Sequence, residues 1–423
     1  MRVLMVTTVF PDAAAPMRGV YNAALLAALS QQDRCAAVVP RNVVEFLRLW
    51  QAAGSAEVAA TRRDVAFAPY FAVPGTGAWR RHRDLWRWCR RAVWHAAKRI
   101  DAEAVLSYWV DPDGTFAVHC ARRLGLPVGI IVGGSDVLIV PRHPRRRPVV
   151  VETLGAADRV FCVSRGLVRV VRDVCPNANA IAVEQGIDTQ RFRPGDRRAA
   201  RAELGLPADA TIYAWVGRME PVKRLDVLLD AFAQVRTRCP NAVLLLAGDG
   251  SRRDALQSHA VARGVGEQVR WLGAMPPEAL PAVYRAANAT VLSSDSEGLP
   301  NVLRESLACA TPFVATDVGS VREIHDPRWS ILVPKGDATA LSAAMQEVLD
   351  RRFAEGARSY RPRSWSETAA EIVRLFAEAR VPAAAQCADG GTRSADRLVP
   401  AATSARSEAT AKCMVMSGGR DGD

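Results

Sequence analysis

The chain has 423 residues, 49% of them apolar and 24% charged, which is enough for two or three packed domains and excludes global disorder. A formal net charge of +12 and a pI near 9.7 point to a polyanionic or membrane-surface partner, yet four lysines against 52 arginines read equally as compositional bias. Nine cysteines lie scattered without a C-x-x-C pair, and no apolar run is long enough to cross a membrane, so the expectation is a reduced, cytoplasmic protein without a structural metal or a spanning helix.

From the N-terminus, residues 3–7 predict a strand that begins just after Met1-Arg2, and the apolar run continues to Pro11-Asp12. With no small-residue cleavage site nearby, it reads as a buried strand and not as a signal peptide. A helix over 20–29, strands over 35–39 and 105–108, a helix over 114–124 closed by Gly125, and strands over 128–132 and 160–163 follow. Segment 40–100 resists assignment. Short apolar strands alternating with helices predict a parallel sheet covered on both faces. Residues 179–207, rich in Arg, Pro, Gly and Asp, read as a linker. Beyond it, a strand over 212–216 precedes a helix whose Leu225, Leu228, Leu229, Phe232 and Val235 recur at helical spacing. Strands over 243–247, 269–272, 289–292 and 312–315 come next, each with a helical stretch after it. The fold class is α/β, with two doubly wound, Rossmann-like domains facing a central cleft at the carboxyl ends of their strands. From 381 to 423 the periodicity dissolves, and the tail reads as disordered.

The most informative stretch runs from Ser293 to Glu305. A strand ends at Leu292, a polar loop follows, and Pro300 sits where a first helical residue is favoured. The amides of Gly298, Leu299 and onward through Pro300 to Asn301 form the start of a helix, aimed at an anion with the dipole's help. Glu297 precedes that start, and Glu305 lies about 7 Å along the helix axis from Pro300. One carboxylate can then reach past a bound phosphate while the other stays beside the group behind it; two surface glutamates on a solvated helix have the same pattern. Earlier, Gly217 closes a strand, and Arg218 and Lys223 precede a helix. Two such cations suit a diphosphate, with arginine able to bind it bidentately. An ordinary capping loop with surface cations would look the same, and Gly248-Asp249-Gly250 is explained by tight-turn chemistry.

Together these residues resemble glycosyltransferase family 4, the group 1 glycosyltransferases of the GT-B fold. The resemblance covers nearly all of 1–380. It is carried by Gln185-Gly186-Ile187-Asp188 with Arg191-Phe192-Arg193-Pro194, by Val216-Gly217-Arg218 through Lys223, by Leu246-Ala247-Gly248-Asp249-Gly250, and by the E-x7-E pair Glu297 and Glu305. It implies an acceptor-binding domain over 1–190 and a nucleotide-sugar-binding domain over 191–365. A helix over 366–380 would pack back towards the first domain. It also implies a hexosyltransferase that retains anomeric configuration and needs neither metal nor cofactor beyond the nucleotide-diphosphate sugar. The implied acceptor is a glycan or lipid-linked molecule of cell-surface polysaccharide or glycolipid synthesis. By the resemblance, Arg218 and Lys223 bind the donor diphosphate, Glu305 accepts the ribose hydroxyls, and Glu297 contacts the transferred sugar with the amides near Gly298 to Asn301 beside it. Gly19 approaches the donor phosphate, and Asp136 closes the first domain's Gly-Ser-Asp motif.

Two positions depart from the family pattern. Gly133 stands where the family commonly has a His before Gly134-Ser135-Asp136, and neither His119 nor His143 takes over that role. Arg18-Gly19 replaces a usual Gly-Gly pair, so Arg18 either adds a cation or faces solvent.

One segment stands apart. From Arg80 to Arg99 there are eight basic residues against Asp84 alone, with Trp79, Trp86, Trp88 and Trp94 interleaved. As a helix, Leu85, Trp86, Val93 and Trp94 could form an apolar stripe on an anionic membrane surface, with Arg142, Arg145, Arg146 and Arg147 in support. Alternatively the tryptophans pack on the sheet and the arginines are solvated. The location expected is cytoplasmic, with the inner membrane face as a peripheral option over 79–99. No nucleic-acid recognition motif is present. A catalytically silent glycan- or nucleotide-sugar-binding relative, and a nucleotide-sugar epimerase on the same scaffold, are the alternative functions.

Overall fold

The computed structural model describes residues 1–60, 64–72 and 80–379. The reading of 381–423 as a disordered tail, and Trp79 of the basic segment, lie outside the described residues. In the first domain the strands are β1 (Val3–Val6), β2 (Ala36–Asn42), β3 (Val65–Tyr70), β4 (Ala104–Tyr108), β5 (Val128–Val132), β6 (Arg159–Cys162) and β7 (Ala180–Ala182). They form one sheet of order β3-β2-β1-β4-β5-β6-β7, and every pairing is parallel. The second domain holds β8 (Thr211–Val216), β9 (Ala242–Ala247), β10 (Val269–Gly273), β11 (Ala289–Leu292), β12 (Phe313–Thr316) and β13 (Ser330–Val333). Their order is β10-β9-β8-β11-β12-β13, again all parallel.

Both faces of each sheet are covered, so the central strands need no polar alternation. β1, β4, β5 and β11 are buried at every position, as continuous Val, Leu and Ile runs require. In each sheet the chain moves outwards from one strand and then returns to start on that strand's other side. The reversal falls between β1 and β4 and between β8 and β11. Loops leaving such adjacent strands diverge to opposite faces and open a crevice at the carboxyl edge.

Segment 40–100, unassigned from sequence, is fully organised where it is described. β2 runs on to Asn42, a helix spans Val43–Ala60, β3 pairs with β2, and a second helix spans Arg81–Ile100. Pro40 and Pro69 lie inside β2 and β3. A proline in a strand removes a ladder donor and argues against the assignment, but Pro69 is tolerated because β3 is the sheet edge. The supposed linker 179–207 is also partly structured. β7 belongs to the first sheet, and a helix over Arg197–Glu203 packs against the second domain's helix Leu280–Ala286. Within the linker, 183–196 makes the outward crossing between domains without a strand or helix of its own.

The helix Trp365–Ala379 returns to the first domain, where Ala369, Ile372, Leu375 and Phe376 enter its core. Phe376 meets Phe161 of β6 edge-on at 5.4 Å. Beside it, the amide of Ile187 donates to the Arg363 carbonyl at 2.8 Å. The outward and returning crossings therefore run side by side. Arg304, fully buried, locks them from the second domain: it pairs with Glu184 at 2.7 Å and donates to the Gln185 carbonyl. No helix among the described residues is long and apolar enough to cross a membrane.

Candidate functional site

The second domain's half of the site is built by two loops that brace each other. After β8, the chain turns through Gly217 and Arg218 into a short 3-10 turn over Pro221–Lys223. Gly248, at the end of β9, lets this loop approach. It has φ +143, and a Cβ there would sit 1.7 Å from the Gly217 carbonyl oxygen. The loop after β11 is tied to the same turn, since the Asp295 amide donates to the Val222 carbonyl at 2.8 Å and Ser293 Oγ to the Lys223 carbonyl at 2.9 Å. These bonds bring Lys223 Nζ to 2.7 Å from Glu297 Oε1. Ser294 Oγ donates to the same oxygen at 2.6 Å. Arg218 is exposed, and no described carboxylate pairs with it.

Pro300 is not the first helical residue. It is the N-cap, with φ −76 and ψ 102, and the helix spans Asn301–Ala308. An extended residue before the first turn is the ordinary capping geometry. Proline has no N–H, so the donors offered are those of Gly298, Leu299 and Asn301. No side chain caps this helix, which leaves its amides and dipole available to an anion.

Glu305 lies one turn further on and accepts from Tyr284 Oη at 2.8 Å. Burial pushes its carboxyl above the ordinary 4.5, although Tyr284's hydrogen bond and the positive charges of Arg304 and Arg191 pull the other way. Tyr284, on the helix Leu280–Ala286, was not readable as a partner because 21 residues separate the two. A half-sheltered carboxylate with one oxygen committed to a phenol still has lone pairs for vicinal hydroxyls.

The first domain supplies the facing wall. Gly19, φ +65, starts the helix Val20–Ser30 with its Cα pressed on the Val9 carbonyl, where a Cβ would come within 2.4 Å. Arg18 neither joins the site nor faces solvent alone, because its guanidinium grips Glu45 through two 3.2 Å bonds. Asp136 is buried and accepts from the Gly134 amide at 2.7 Å and the Gly133 amide at 3.3 Å. Burial raises its carboxyl to about 6 despite those donors.

Gly133 is fitted to a tyrosine. A Cβ there would lie 2.7 Å from Tyr108 Oη, and that ring is held by Tyr21 at 4.7 Å and by Gln185 Nε2 at 2.9 Å. A histidine at 133 would have to displace this buried ring.

The two walls touch. Gly134 Cα faces Gly298 Cα, and a Cβ on Gly298 would be 2.7 Å from the Gly133 carbonyl. Gln185, on the outward crossing, links Tyr108 to the Asn301 amide group at 3.3 Å. Leu299 packs against the cores of both domains. Behind the cleft, Glu323 of the second domain accepts the amides of Arg165 and Gly166 at 2.8 and 2.7 Å. Those amides start the first domain's helix Arg165–Val174, and Ser320 Oγ donates to Ser164 Oγ beside them at 2.7 Å. The structure thus gathers Arg218, Lys223, Glu297, Gly298, Leu299, Pro300, Asn301 and Glu305 on the second domain's strand-end loops and the helix that follows β11. Gly133, Gly134 and Asp136 sit on the opposite wall, and Gly19 follows β1. Gln185, Tyr284 and Tyr108 complete the arrangement without having been assigned roles from sequence.

Comparison with known proteins agrees with this architecture. The family model described as glycosyl transferases group 1 matches residues 196–370. A D-inositol 3-phosphate glycosyltransferase of Saccharomonospora viridis is 34% identical over 294 residues, covering 64% of this chain and 67% of the relative. One of the same name from Segniliparus rotundus is 41% identical over 222 residues, covering 50% and 49%. The match thus spans from about half to two thirds of these relatives' length. Among solved structures, sucrose-phosphate synthase from Thermosynechococcus elongatus superposes with TM-score 0.70 at 19% identity, over 89% of this chain and 98% of its own. Anabaena HepE in complex with UDP-glucose gives TM-score 0.64 at 16% identity, over 89% and 97%. At such identities the likeness is one of fold, and that fold is GT-B.

Proposed function

The chain belongs to the group 1 glycosyltransferases, and we propose that it moves a hexosyl unit from a nucleotide-diphosphate sugar to a glycan or lipid-linked acceptor of cell-surface polysaccharide or glycolipid synthesis, with retention and without a metal. The observation that carries this reading is the meeting of Lys223 and Glu297 at 2.7 Å beside an uncapped helix start, with Glu305 half-sheltered behind it. Arg218, Lys223 and the amides of Gly298 and Leu299 form a fixed positive field for a diphosphate. Glu305 accepts ribose hydroxyls, and Glu297 orients the sugar while holding Lys223 in place.

In the transfer, the acceptor hydroxyl oxygen bonds to the anomeric carbon as the bond from that carbon to the phosphate oxygen breaks. The electron pair stays on the leaving phosphate, which also takes the hydroxyl proton. Developing charge on that phosphate is what Arg218 and Lys223 stabilise, so the chemistry asks for no imidazole at position 133. Neither carboxylate serves as a covalent nucleophile.

The names of the relatives favour a second acceptor class, a phosphorylated polyol such as D-inositol 3-phosphate. Residues 1–190 carry 25 Lys and Arg against 16 Asp and Glu, a positive surplus that suits an anionic acceptor of either class. A thermal-shift screen against UDP, GDP, ADP, TDP and their common sugars tests the donor, since a ligand bound only by the native state stabilises it. One nucleotide should stand out. A flat response from folded protein would favour the catalytically silent relative. Product NMR with the selected donor then reads the anomeric configuration and separates the two acceptor classes.

A further inference from the structure

The basic, tryptophan-rich segment is a helix, Arg81–Ile100, and its packing divides the segment differently from the stripe suggested by sequence. Leu85, Cys89, Val93, Ala97 and Ile100 face the sheet and are buried. Leu85 is therefore unavailable to any partner, and Val93, nearly fully buried, contributes only to the lining of the groove described next. Trp86 is half-buried, and Trp88 and Trp94 remain 46% and 42% exposed. The expectation that all the tryptophans pack on the sheet fails equally.

Between this helix and its neighbour Thr115–Leu124 lies a groove of about 480 Å³, with Trp86, Trp94 and Leu124 among its walls and Arg90, Arg91 and Arg123 at its rim. Guanidinium and ring alternate there: Arg90 and Arg123 lie 5.8 and 5.4 Å from the Trp86 ring centre, and the Lys98 ammonium 5.2 Å from that of Trp94. Among the described residues, none of Arg83, Arg87, Arg90, Arg91, Lys98 and Arg123 forms an ion pair, although arginines elsewhere, such as Arg41 with Asp12 and Arg304 with Glu184, do. Six unpaired cations around exposed indoles leave both charge and apolar surface unmatched. Arg146, by contrast, is spent internally on Asp111 at 2.6 Å, so the 142–147 cluster does not extend this face as a whole.

We propose that this face docks the enzyme on an anionic phospholipid bilayer, with lipid phosphates on the cations and the rings of Trp86 and Trp94 at the level of the glycerol backbone. The charge complementarity selects the partner. Lysine and arginine heads stay at the phosphates while their stems and the indoles reach inwards, and tryptophan prefers that interface. The groove's lining shares no residue with the proposed donor site.

The test uses the purified full chain and vesicles of phosphatidylcholine with or without phosphatidylglycerol. Cosedimentation should require phosphatidylglycerol and weaken at high salt. Arg90→Gln/Arg91→Gln should lower the partition coefficient about 25-fold, from roughly a fivefold contribution per cation at a charged surface. The same neutralisation at Arg351 and Arg352, on the second domain, should leave it unchanged. Quenching of tryptophan emission by brominated lipid should fall in Trp94→Ala. Equal partitioning of wild type and Arg90→Gln/Arg91→Gln, unaltered quenching in Trp94→Ala, or binding of RNA with no binding of vesicles would each overturn the proposal. None of these readouts depends on the donor or on turnover.

Discussion

Replacing Asp136 with asparagine should remove a pH-dependent burden from the first domain's wall. Asp136 is 1% exposed and folds its carboxyl under the Gly133-Gly134 turn that touches Gly298. Burial raises its pKa from the ordinary 3.8 to about 6, against the pull of the Gly134 and Gly133 amides. The folded state therefore holds this proton more tightly than the unfolded chain does. Below the unfolded value the group costs nothing. As pH rises through the folded value the favourable binding of the proton is lost, and the burden reaches about 3 kcal/mol above it. Asparagine carries no such term. Urea unfolding of both proteins across this window should show wild-type stability falling, relative to Asp136→Asn, by about 3 kcal/mol between pH 3.8 and neutrality. Asp113, raised to about 6 as well, is common to both and cancels. A difference that stays constant with pH would mean that the Asp136 carboxylate is already well solvated or fully compensated where it sits, and not burdened by burial.

Gly248→Ala should cost at least about 3 kcal/mol, since the left-handed φ and a Cβ at 1.7 Å from the Gly217 carbonyl act together; a wild-type melting temperature would contradict this. Lys223→Ala should lower kcat by about 100-fold, the scale of losing one preorganised charge-stabilising group, and steady-state kinetics with the donor found by screening would expose any smaller effect. Glu323→Ala removes the carboxylate that holds two amides of the first domain. It should shift the domains towards an open arrangement, visible as an increased radius of gyration in small-angle scattering; unchanged scattering would show that the clasp is dispensable.

Much of this molecule was legible because parallel strands buried on both faces write themselves as short apolar runs, as in Val3–Val6 and Val128–Val132. The second domain's order of strand and helix was clear for the same reason. Of the four edge strands, β10 was read over 269–272 and the other three were not. β3 is interrupted by Pro69, β7 has three residues, and β13 offers only three apolar residues before Pro334. On the site, a single-residue slip at Pro300 came from treating a proline before a helix as its first turn, when its ψ of 102 keeps it extended. The residues that shape the site by long-range contact left no local mark. Tyr284 reaches Glu305, Gln185 joins Tyr108 to Asn301, and Glu323 spans the domains. Each depends on which loops the fold brings together. Gly133 reads as a missing functional group until the Tyr108 hydroxyl is seen occupying the space beside it.

Titration calorimetry of the best-binding nucleoside diphosphate against wild type and Glu305→Gln tests the donor site most directly. The variant keeps an acceptor for Tyr284 but loses the charge that strengthens bonds to ribose hydroxyls, a loss of about 1.5–3 kcal/mol. Kd should rise roughly 10- to 150-fold in a protein that melts like wild type at acid pH. An unchanged Kd would place the nucleotide elsewhere and contradict the assignment of this helix as the donor site.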